Sequence, residues 1–150
     1  MDKSQEKFIL DQLRRHKSMT LATLRPDGFP QATTVTYANE GFELYFCCDT
    51  ASQKAKNIRK NDKVSAAIDR DPRDWNRTRG ISLGGRAQVL KGKREREHAL
   101  ALLAKKFPEM GDVTAGEPGL AFVRVRPSVM SLIDYTQGFG HAGVGGSEGR

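Results

Sequence analysis

The sequence predicts a mainly β protein, organised as a small barrel with a few short helices. Segments rich in Val, Ile, Thr and aromatic residues alternate with turns over most of the chain. The first three segments follow one another through two tight turns, which is typical of an antiparallel meander. The chain has 150 residues and neither an internal repeat nor a linker, so we expect one domain over residues 1–150. A β-rich chain with several meander turns is best accommodated as a barrel.

The first half of the chain is predicted to carry two helices and four strands. The opening helix is amphipathic, because Phe8, Ile9 and Leu13 are apolar among charged neighbours. A Pro-Asp-Gly turn at residues 26–28 joins the first two strands. In chain order we predict a helix over 2–16, strands over 18–24, 30–38 and 42–48, a helix over 52–60, and a strand over 63–69.

The second half is predicted to carry three more strands and the clearest helix. Gly84 and Gly85 interrupt the fifth strand, which indicates a bulge or a close backbone approach. Pro127 separates the last two strands. The elements are a polar loop over 70–79, strands over 81–90, 120–126 and 128–134, and a helix over 93–106. We expect the Gly-rich tail, residues 138–150, to be flexible beyond about Ala142.

The net charge of +7 has two interpretations. A basic protein can bind nucleic acid through phosphate attraction, or it can bind a small phosphorylated ligand and carry its remaining charge as solvated surface. Basic residues here are mixed with acidic ones, as over residues 93–97, and aromatic residues make up only 7%. This pattern favours a small anion over nucleic acid.

Compartment and metal content follow from the apolar segments and the cysteines. No apolar run approaches the roughly 20 residues that span a bilayer. The charged start leads into no signal-type apolar core, so we expect a cytoplasmic protein that does not enter a membrane. Cys47 and Cys48 are neighbours without a third cysteine, which predicts two reduced thiols and no zinc site.

The junction between the third strand and the second helix is a candidate anion site. The first N–H groups of a helix lack internal partners, and the helix dipole adds partial positive charge there. A phosphate could accept those N–H groups, the hydroxyls of Thr50 and Ser52, and the charge of Lys54. The alternative is that Asp49 or Thr50 only caps the helix, and the residues alone leave both hypotheses open.

The second strand offers a second candidate surface. Its alternation sends Thr34 and Thr36 to one face and Thr33, Val35 and Tyr37 to the other. A planar heterocycle could lie along this strand, bonded by its backbone groups. The alternative is an ordinary strand of β-branched residues.

Three stretches together resemble the pyridoxamine 5'-phosphate oxidase-like family, the FMN-binding split barrels. They are residues 19–30 (MTLATLRPDGFP), residues 44–49 (LYFCCD) followed by 52–61 (SQKAKNIRKN), and residues 85–89 (GRAQV). The resemblance covers roughly residues 6–134. It implies an antiparallel, Greek-key-like split barrel of six to seven strands, and a homodimer with FMN between the subunits.

By position, the resemblance also implies the cofactor contacts. Ser52, Gln53 and Lys54 would meet the FMN phosphate, and Thr34, Val35 and Thr36 would line the isoalloxazine and ribityl chain. Cys48 joins the phosphate site at a position where the family often has Thr, so a thiol replaces one hydroxyl. Two further departures argue against true pyridoxamine phosphate oxidase activity: Gln53 stands where that enzyme has Arg, and Gly80 where it has a flavin-contacting Gln.

Trp75 is the remaining cofactor candidate. It lies in the loop before the fifth strand, with Arg73, Arg77 and Arg79 around it. An indole in this setting could stack on a flavin or substrate across the dimer interface, or it could seal the barrel rim or the subunit contact.

The three histidines divide into two kinds. We expect His16 and His98 at the surface. The segment around His141 resembles the closing motif of some flavin-barrel relatives and could fold over the ligand, with Tyr135 and Phe139 packing on the ring. The alternative is a partly ordered tail.

These observations favour an FMN-dependent oxidoreductase acting on a small-molecule substrate. The flavin would carry out the redox chemistry, so no catalytic side chain is assigned. The alternatives are a deazaflavin-dependent reductase or a haem-handling protein on the same fold, and a flavin-binding sensor without turnover.

Overall fold

The computed structural model describes residues 1–69 and 79–134, together with the backbone of residues 142–146. These parts of the chain contain three α-helices and eight strands. In chain order they are α1 Lys3–Arg15, β1 Ser18–Leu24, β2 Pro30–Thr36, β3 Ala38–Glu40, β4 Glu43–Asp49, α2 Gln53–Lys60, β5 Lys63–Asp69, β6 Arg79–Val89, α3 Lys93–Lys106, β7 Leu120–Asp134 and β8 Ala142–Gly146. Of the helices in these segments, none is long and apolar enough to cross a membrane.

The strands form one curled antiparallel sheet. Its order is β2-β1-β5-β6-β7-β4-β3, and β8 pairs with β7 outside this path. Residues of β2 contact residues of β4, so the two ends of the sheet approach one another. This arrangement confirms the predicted split barrel with a few helices.

The predicted strand over 30–38 is two strands, divided at Tyr37. β2 pairs with β1 at one end of the sheet, whereas β3 pairs with β4 at the other end. Tyr37 is fully buried at the crossing, where its N–H donates to the carbonyl of Lys17 at 3.1 Å. The chain leaves one edge of the sheet here and joins the other. The sequence pattern over residues 30–38 is continuous, so it could not reveal this change of edge.

The two strands predicted on either side of Pro127 are one strand, β7. The register between β6 and β7 shifts between Gly84 and Gly85, which confirms the predicted bulge. Pro127 lies opposite Gly85, and a Cβ at Gly85 would overlap the Arg126 carbonyl and lie 2.8 Å from the Pro127 Cα. The bulge therefore accommodates a proline that cannot donate to the ladder.

Residues 142–146, within the Gly-rich tail, form β8, and the flexibility expected beyond about Ala142 stays a prediction. β4 covers β7 only from Leu120 to Val125, whereas β8 pairs with Val129–Ile133. The backbone groups along the second half of β7 would otherwise lack a partner on this edge, and β8 satisfies them.

Two apolar clusters hold the barrel together. The larger one fills the barrel and includes Leu21, Leu44 and Phe46. The second lies outside it, where α3 packs Leu103 against Tyr45 and other residues of β4 and β7. Successive residues of β4 therefore enter opposite clusters, and this strand is buried on both faces.

Candidate functional site

The turn between β4 and α2 is built by local hydrogen bonds. The Asp49 carboxylate accepts the Ala51 N–H at 2.7 Å, and the Asp49 carbonyl accepts the Ser52 N–H at 3.0 Å. The Ser52 hydroxyl caps α2 by accepting the Ala55 N–H at 3.3 Å. Ser52 is therefore the capping residue, rather than Asp49 or Thr50 as the sequence alternative had it.

The helix start retains the features that an anion needs. Within the described residues, the N–H groups of Gln53 and Lys54 make no hydrogen bond. Lys54 lies in the first turn, half-buried, so its charge adds to the partial positive charge of the helix end. The capping role of Ser52 leaves these donors available, so capping and anion binding are compatible here.

Cys48 lies beside this turn, half-buried. Its sulfur accepts the Ser52 hydroxyl at 3.7 Å. Burial raises the pKa of the Cys48 thiol, while the Ser52 bond and the positive charges of Lys54 and Arg59 oppose that rise. The thiol is therefore neutral at physiological pH, and two cations lie near the helix start.

Arg59 is a residue of this turn that the sequence analysis missed. Its guanidinium donates to the Thr50 carbonyl at 2.8 Å and also to the Thr50 hydroxyl. Ser52 and Arg59 are seven residues apart, about two helical turns, so they lie on the same side of α2. This spacing could have identified Arg59 from the sequence. The Thr50 hydroxyl, a predicted phosphate ligand, is engaged by Arg59.

Asn57 fixes α2 against the first hairpin. Its side chain is fully buried and donates to Thr23 Oγ1 at 3.0 Å and to Gln31 Oε1 at 3.3 Å. Its own oxygen accepts from Gln53 Nε2 at 2.8 Å. The Gln53 side chain thus lies along the helix towards Asn57, which leaves its backbone N–H as the group available at the helix start.

The exposed face of β2 continues into a flat surface that we call the strand shelf. Thr34 pairs with Thr20, Thr20 with Ala67, and Ala67 with Ser82. The shelf consists of the exposed small residues Thr20, Thr34, Thr36, Ala67 and Ser82. Because their side chains are short, the shelf can accept a planar ring.

Val35 does not belong to the shelf. Its side chain is 7% exposed and packs in the barrel, so Val35 could contact a ligand only through its backbone. Within the described residues β2 pairs with β1 alone, which leaves alternate backbone groups of β2 on an open edge. The predicted alternation of Thr34 and Thr36 against Val35 is confirmed.

A side chain at Gly80 would be crowded by the neighbouring strand. A Cβ at this position would lie 3.0 Å from the Ile68 carbonyl oxygen and 3.1 Å from Asp69 Cβ. A side chain at this position would therefore require its neighbours on β5 to shift.

The remaining candidates divide by position. Trp75, Tyr135, Phe139 and His141 lie outside the residues that the structure describes. His98 is exposed and bonds Glu40 at 2.9 Å, whereas His16 is half-buried and bonds Gln12 at 3.1 Å. The described segments contain no group of three or more His, Cys, Asp or Glu residues placed to hold a metal ion.

A curled antiparallel split barrel, with an anion-competent helix start and a strand face of short exposed side chains, defines the class of this protein. Its sequence matches the family model described as pyridoxamine 5'-phosphate oxidase over residues 5–134. The chain belongs to the pyridoxamine 5'-phosphate oxidase family. A comparison with curated proteins gave no match.

Solved structures of several bacterial proteins share the fold. The conserved hypothetical protein Rv2991 from Mycobacterium tuberculosis is 26% identical, with a TM-score of 0.77 over 98% of this chain and 94% of that one. A putative pyridoxamine 5'-phosphate oxidase from Listeria innocua is 21% identical, with a TM-score of 0.71 over 87% and 98%. HutZ, the heme storage protein from Vibrio cholerae, is 17% identical, with a TM-score of 0.71 over 81% and 89%.

Proposed function

We propose that this protein binds FMN and acts as an FMN-dependent oxidoreductase on a small-molecule substrate in the cytoplasm. The observation that carries the proposal is the helix start at Ser52–Lys54, held beside the first hairpin by Asn57. The start of α2 suits a phosphate, and the strand shelf, which includes Thr20 and Thr34 of the same hairpin, suits a planar ring. Bound FMN would supply the redox chemistry, and the protein would supply position and electrostatics.

The phosphate would lie at the start of α2. The N–H groups of Gln53 and Lys54 point out of the first turn, and Lys54 supplies a full positive charge. The Ser52 hydroxyl now donates to the Cys48 sulfur, which is a weak acceptor. A phosphate oxygen is a stronger acceptor, so the hydroxyl gains by turning to it while still accepting the Ala55 N–H.

The isoalloxazine would lie on the strand shelf. The hydroxyls of Thr34 and Thr36 are exposed there, and the open edge of β2 adds backbone donors and acceptors. Residue 80 contributes no side chain to this contact. The flavin would therefore be held mainly by backbone and hydroxyl groups, with Val35 contributing only its backbone.

A second copy of the chain would cover the ring. The shelf is a flat, exposed sheet face, and a flavin lying on it would keep one side in water. We therefore propose a homodimer with the flavin at the subunit interface. Trp75 would reach the ring in this assembly.

The substrate differs from pyridoxamine phosphate. Gln53 replaces a bidentate cation and turns to Asn57, and Gly80 replaces the flavin-contacting Gln. We expect a flavoprotein with little pyridoxamine phosphate oxidase activity.

The test is an FMN titration of wild type and Lys54→Ala by quenching of flavin fluorescence. Loss of Lys54 should weaken FMN binding by about 1.5–3 kcal/mol, the scale of a hydrogen bond to a charged group. Lys60→Ala removes the same charge from the other end of α2 and should leave the dissociation constant unchanged. An unchanged constant in Lys54→Ala would remove Lys54 from the site. Bleaching of the bound flavin by NAD(P)H would favour an enzyme, whereas a flavin that stays oxidised would favour a sensor without turnover.

A haem-handling role is the second candidate, supported by the likeness to the heme storage protein HutZ. Both described histidines already bond other side chains, so His141 is the candidate haem ligand. A Soret band on haem addition, lost in His141→Ala, would favour this role. Failure of FMN to bind, with no Soret band, would argue against both.

A further inference from the structure

A basic groove lies between the second half of α2 and the outer faces of β6 and β7. It encloses about 780 Å³. Five cations and one carboxylate contribute to its lining: Arg59, Arg86, Lys91, Arg124, Arg126 and Asp62. None of Ser52, Gln53 and Lys54 lines it, so the groove does not contain the proposed FMN phosphate ligands, although Arg59 reaches from its lining to Thr50 in the turn before α2.

Like charges face one another across three strands at this groove. Lys63 on β5 pairs with Arg86 on β6, and Arg86 pairs with Arg126 on β7. Like charges directly opposite on neighbouring strands destabilise a sheet. Asp62 bonds Arg86 at 2.7 Å and Glu43 bonds Arg126 at 3.2 Å, so two carboxylates face three cations. The row retains positive charge that a bound anion would neutralise.

The arginines are partly ordered before any ligand arrives. Arg124 is 14% exposed, and its guanidinium bonds Gln88 at 2.8 Å and Glu95 at 3.4 Å. Arg59 is held by Thr50 in the same way. Arg86 and Arg126, at 64% and 61% exposure, have the most freedom to close on an anion. Guanidinium groups fixed in advance lose little entropy when they bind phosphate.

We propose that this groove binds a polyphosphate group, several linked phosphates as in tripolyphosphate or a nucleoside triphosphate. The cations come from α2, β6, β7 and the segment after β6, so they surround more than one phosphate. No aromatic side chain is among the lining residues that the structure describes, so bases would have nothing to stack on. The volume suits a compact ligand. Five of the 25 basic residues thus lie in one groove, with a single carboxylate among the charged lining residues.

The test is calorimetric titration of the full chain with tripolyphosphate and with orthophosphate in metal-free buffer. We expect one tripolyphosphate site, with binding about tenfold or more tighter than that of orthophosphate. Arg86→Gln/Arg126→Gln should weaken it about a hundredfold or more, since each of the two lost bonds to a charged group is worth about a factor of ten or more. The matched control is Arg94→Gln/Lys105→Gln, which removes the same charge from exposed positions on α3 outside the groove.

Four results would overturn the proposal. The first is the absence of saturable binding, and the second is equal weakening in both double variants, which would indicate attraction by net charge alone. The third is loss of tripolyphosphate binding in Lys54→Ala, which would place the anion at the start of α2. The fourth is tighter, steeply salt-dependent binding of single-stranded DNA, which would indicate an extended polyanion. The FMN dissociation constant of Arg86→Gln/Arg126→Gln should equal that of wild type. A failure of the polyphosphate proposal can therefore be distinguished from a failure of the FMN proposal.

Discussion

At the scale of single residues, Asn57 joins three separate parts of the chain. Its amide bonds Thr23 on β1, Gln31 on β2 and Gln53 on its own helix. Asn57 and Thr23 are both buried, so each polar group depends on the other to avoid an unpaired donor or acceptor. The position of α2 on the hairpin follows from this one amide.

Asn57→Ala should therefore destabilise the protein by about 2–3 kcal/mol, because it leaves the buried Thr23 hydroxyl without a partner and opens a small cavity. Urea unfolding measures the difference. The matched control is Asn39→Ala, which removes a single exposed bond to the Gly41 carbonyl and should cost less than about 1 kcal/mol. Equal costs in the two variants would contradict the role of Asn57.

Tyr37 is a second residue that connects distant segments. Its hydroxyl donates to the Leu13 carbonyl at 2.7 Å, and the Lys106 ammonium lies 4.2 Å from its ring centroid. Burial raises the pKa of Tyr37 above its ordinary value. The phenol therefore keeps its proton in the folded protein at a pH where the unfolded chain has lost it.

Tyr37→Phe should cost about 1 kcal/mol near neutral pH, through the lost hydrogen bond. Above a pH of about 10, unfolding releases the Tyr37 proton, so wild type should lose about 1.4 kcal/mol per pH unit relative to the variant. The advantage of wild type thus shrinks as pH rises. Urea unfolding at pH 8 and pH 11 measures this difference, and parallel pH profiles for the two proteins would contradict it.

At the scale of elements, β7 is continuous past Pro127 because its partner β6 contains a bulge. Pro127 interrupts the ladder, and the bulge at Gly84 and Gly85 lets β7 continue for 15 residues between β6 and, in turn, β4 and β8. The last turn of α3 is joined to the end of α1 by a lysine. The Lys106 ammonium donates to the carbonyls of Leu13 and His16. This contact explains why a lysine lies on the packed side of that helix.

Gly85→Ala should destabilise the barrel by about 1–3 kcal/mol or more, because the new Cβ would overlap the backbone of Arg126 and Pro127. Gly84→Ala is the matched control: its Cβ would lie 3.3 Å from Val129 Cγ1, a side chain that is exposed and can move. Thermal unfolding of the two variants measures the contrast. A Gly84 variant as destabilised as the Gly85 variant would show that the backbone approach is not the constraint.

At the scale of the whole molecule, the two faces of the sheet have different roles. The inner face and the part of the outer face under α3 are buried in apolar clusters, whereas the strand shelf and the basic groove remain exposed. The shelf offers short side chains, and the groove offers cations. The proposed dimer would use the first surface and leave the second for an anion.

Ala67→Arg places a long cation in the middle of the shelf and should convert the proposed dimer to a monomer, since a charge cannot be buried there without a partner. Sedimentation velocity measures the change. Ala101→Arg, at an exposed position of α3, is the control and should leave the dimer intact. A wild-type protein that sediments as a monomer at every concentration would contradict the dimer itself.

The predicted boundaries of β1, β5 and α3 agree with the structure because local pattern defines these elements. β1 and β5 each begin with alternating polar and apolar residues, Ser-Met-Thr-Leu and Lys-Val-Ser-Ala, and α3 is bounded by Gly92 and Pro108. The helix start at Ser52 is likewise a local feature. The predictions for Trp75 and His141 remain predictions.

By itself, the sequence determined the family, the barrel, the bulge at Gly84–Gly85 and the alternation that exposes Thr34 and Thr36. Tertiary structure alone decided that Tyr37 divides a strand, that β7 passes Pro127, and that residues 142–146 pair with β7. It also decided the roles of Asn57 and Arg59 and the cation row of the basic groove. The physical reason is range: propensity, capping and alternation act between near neighbours, whereas strand pairing joins groups that the chain separates by tens of residues.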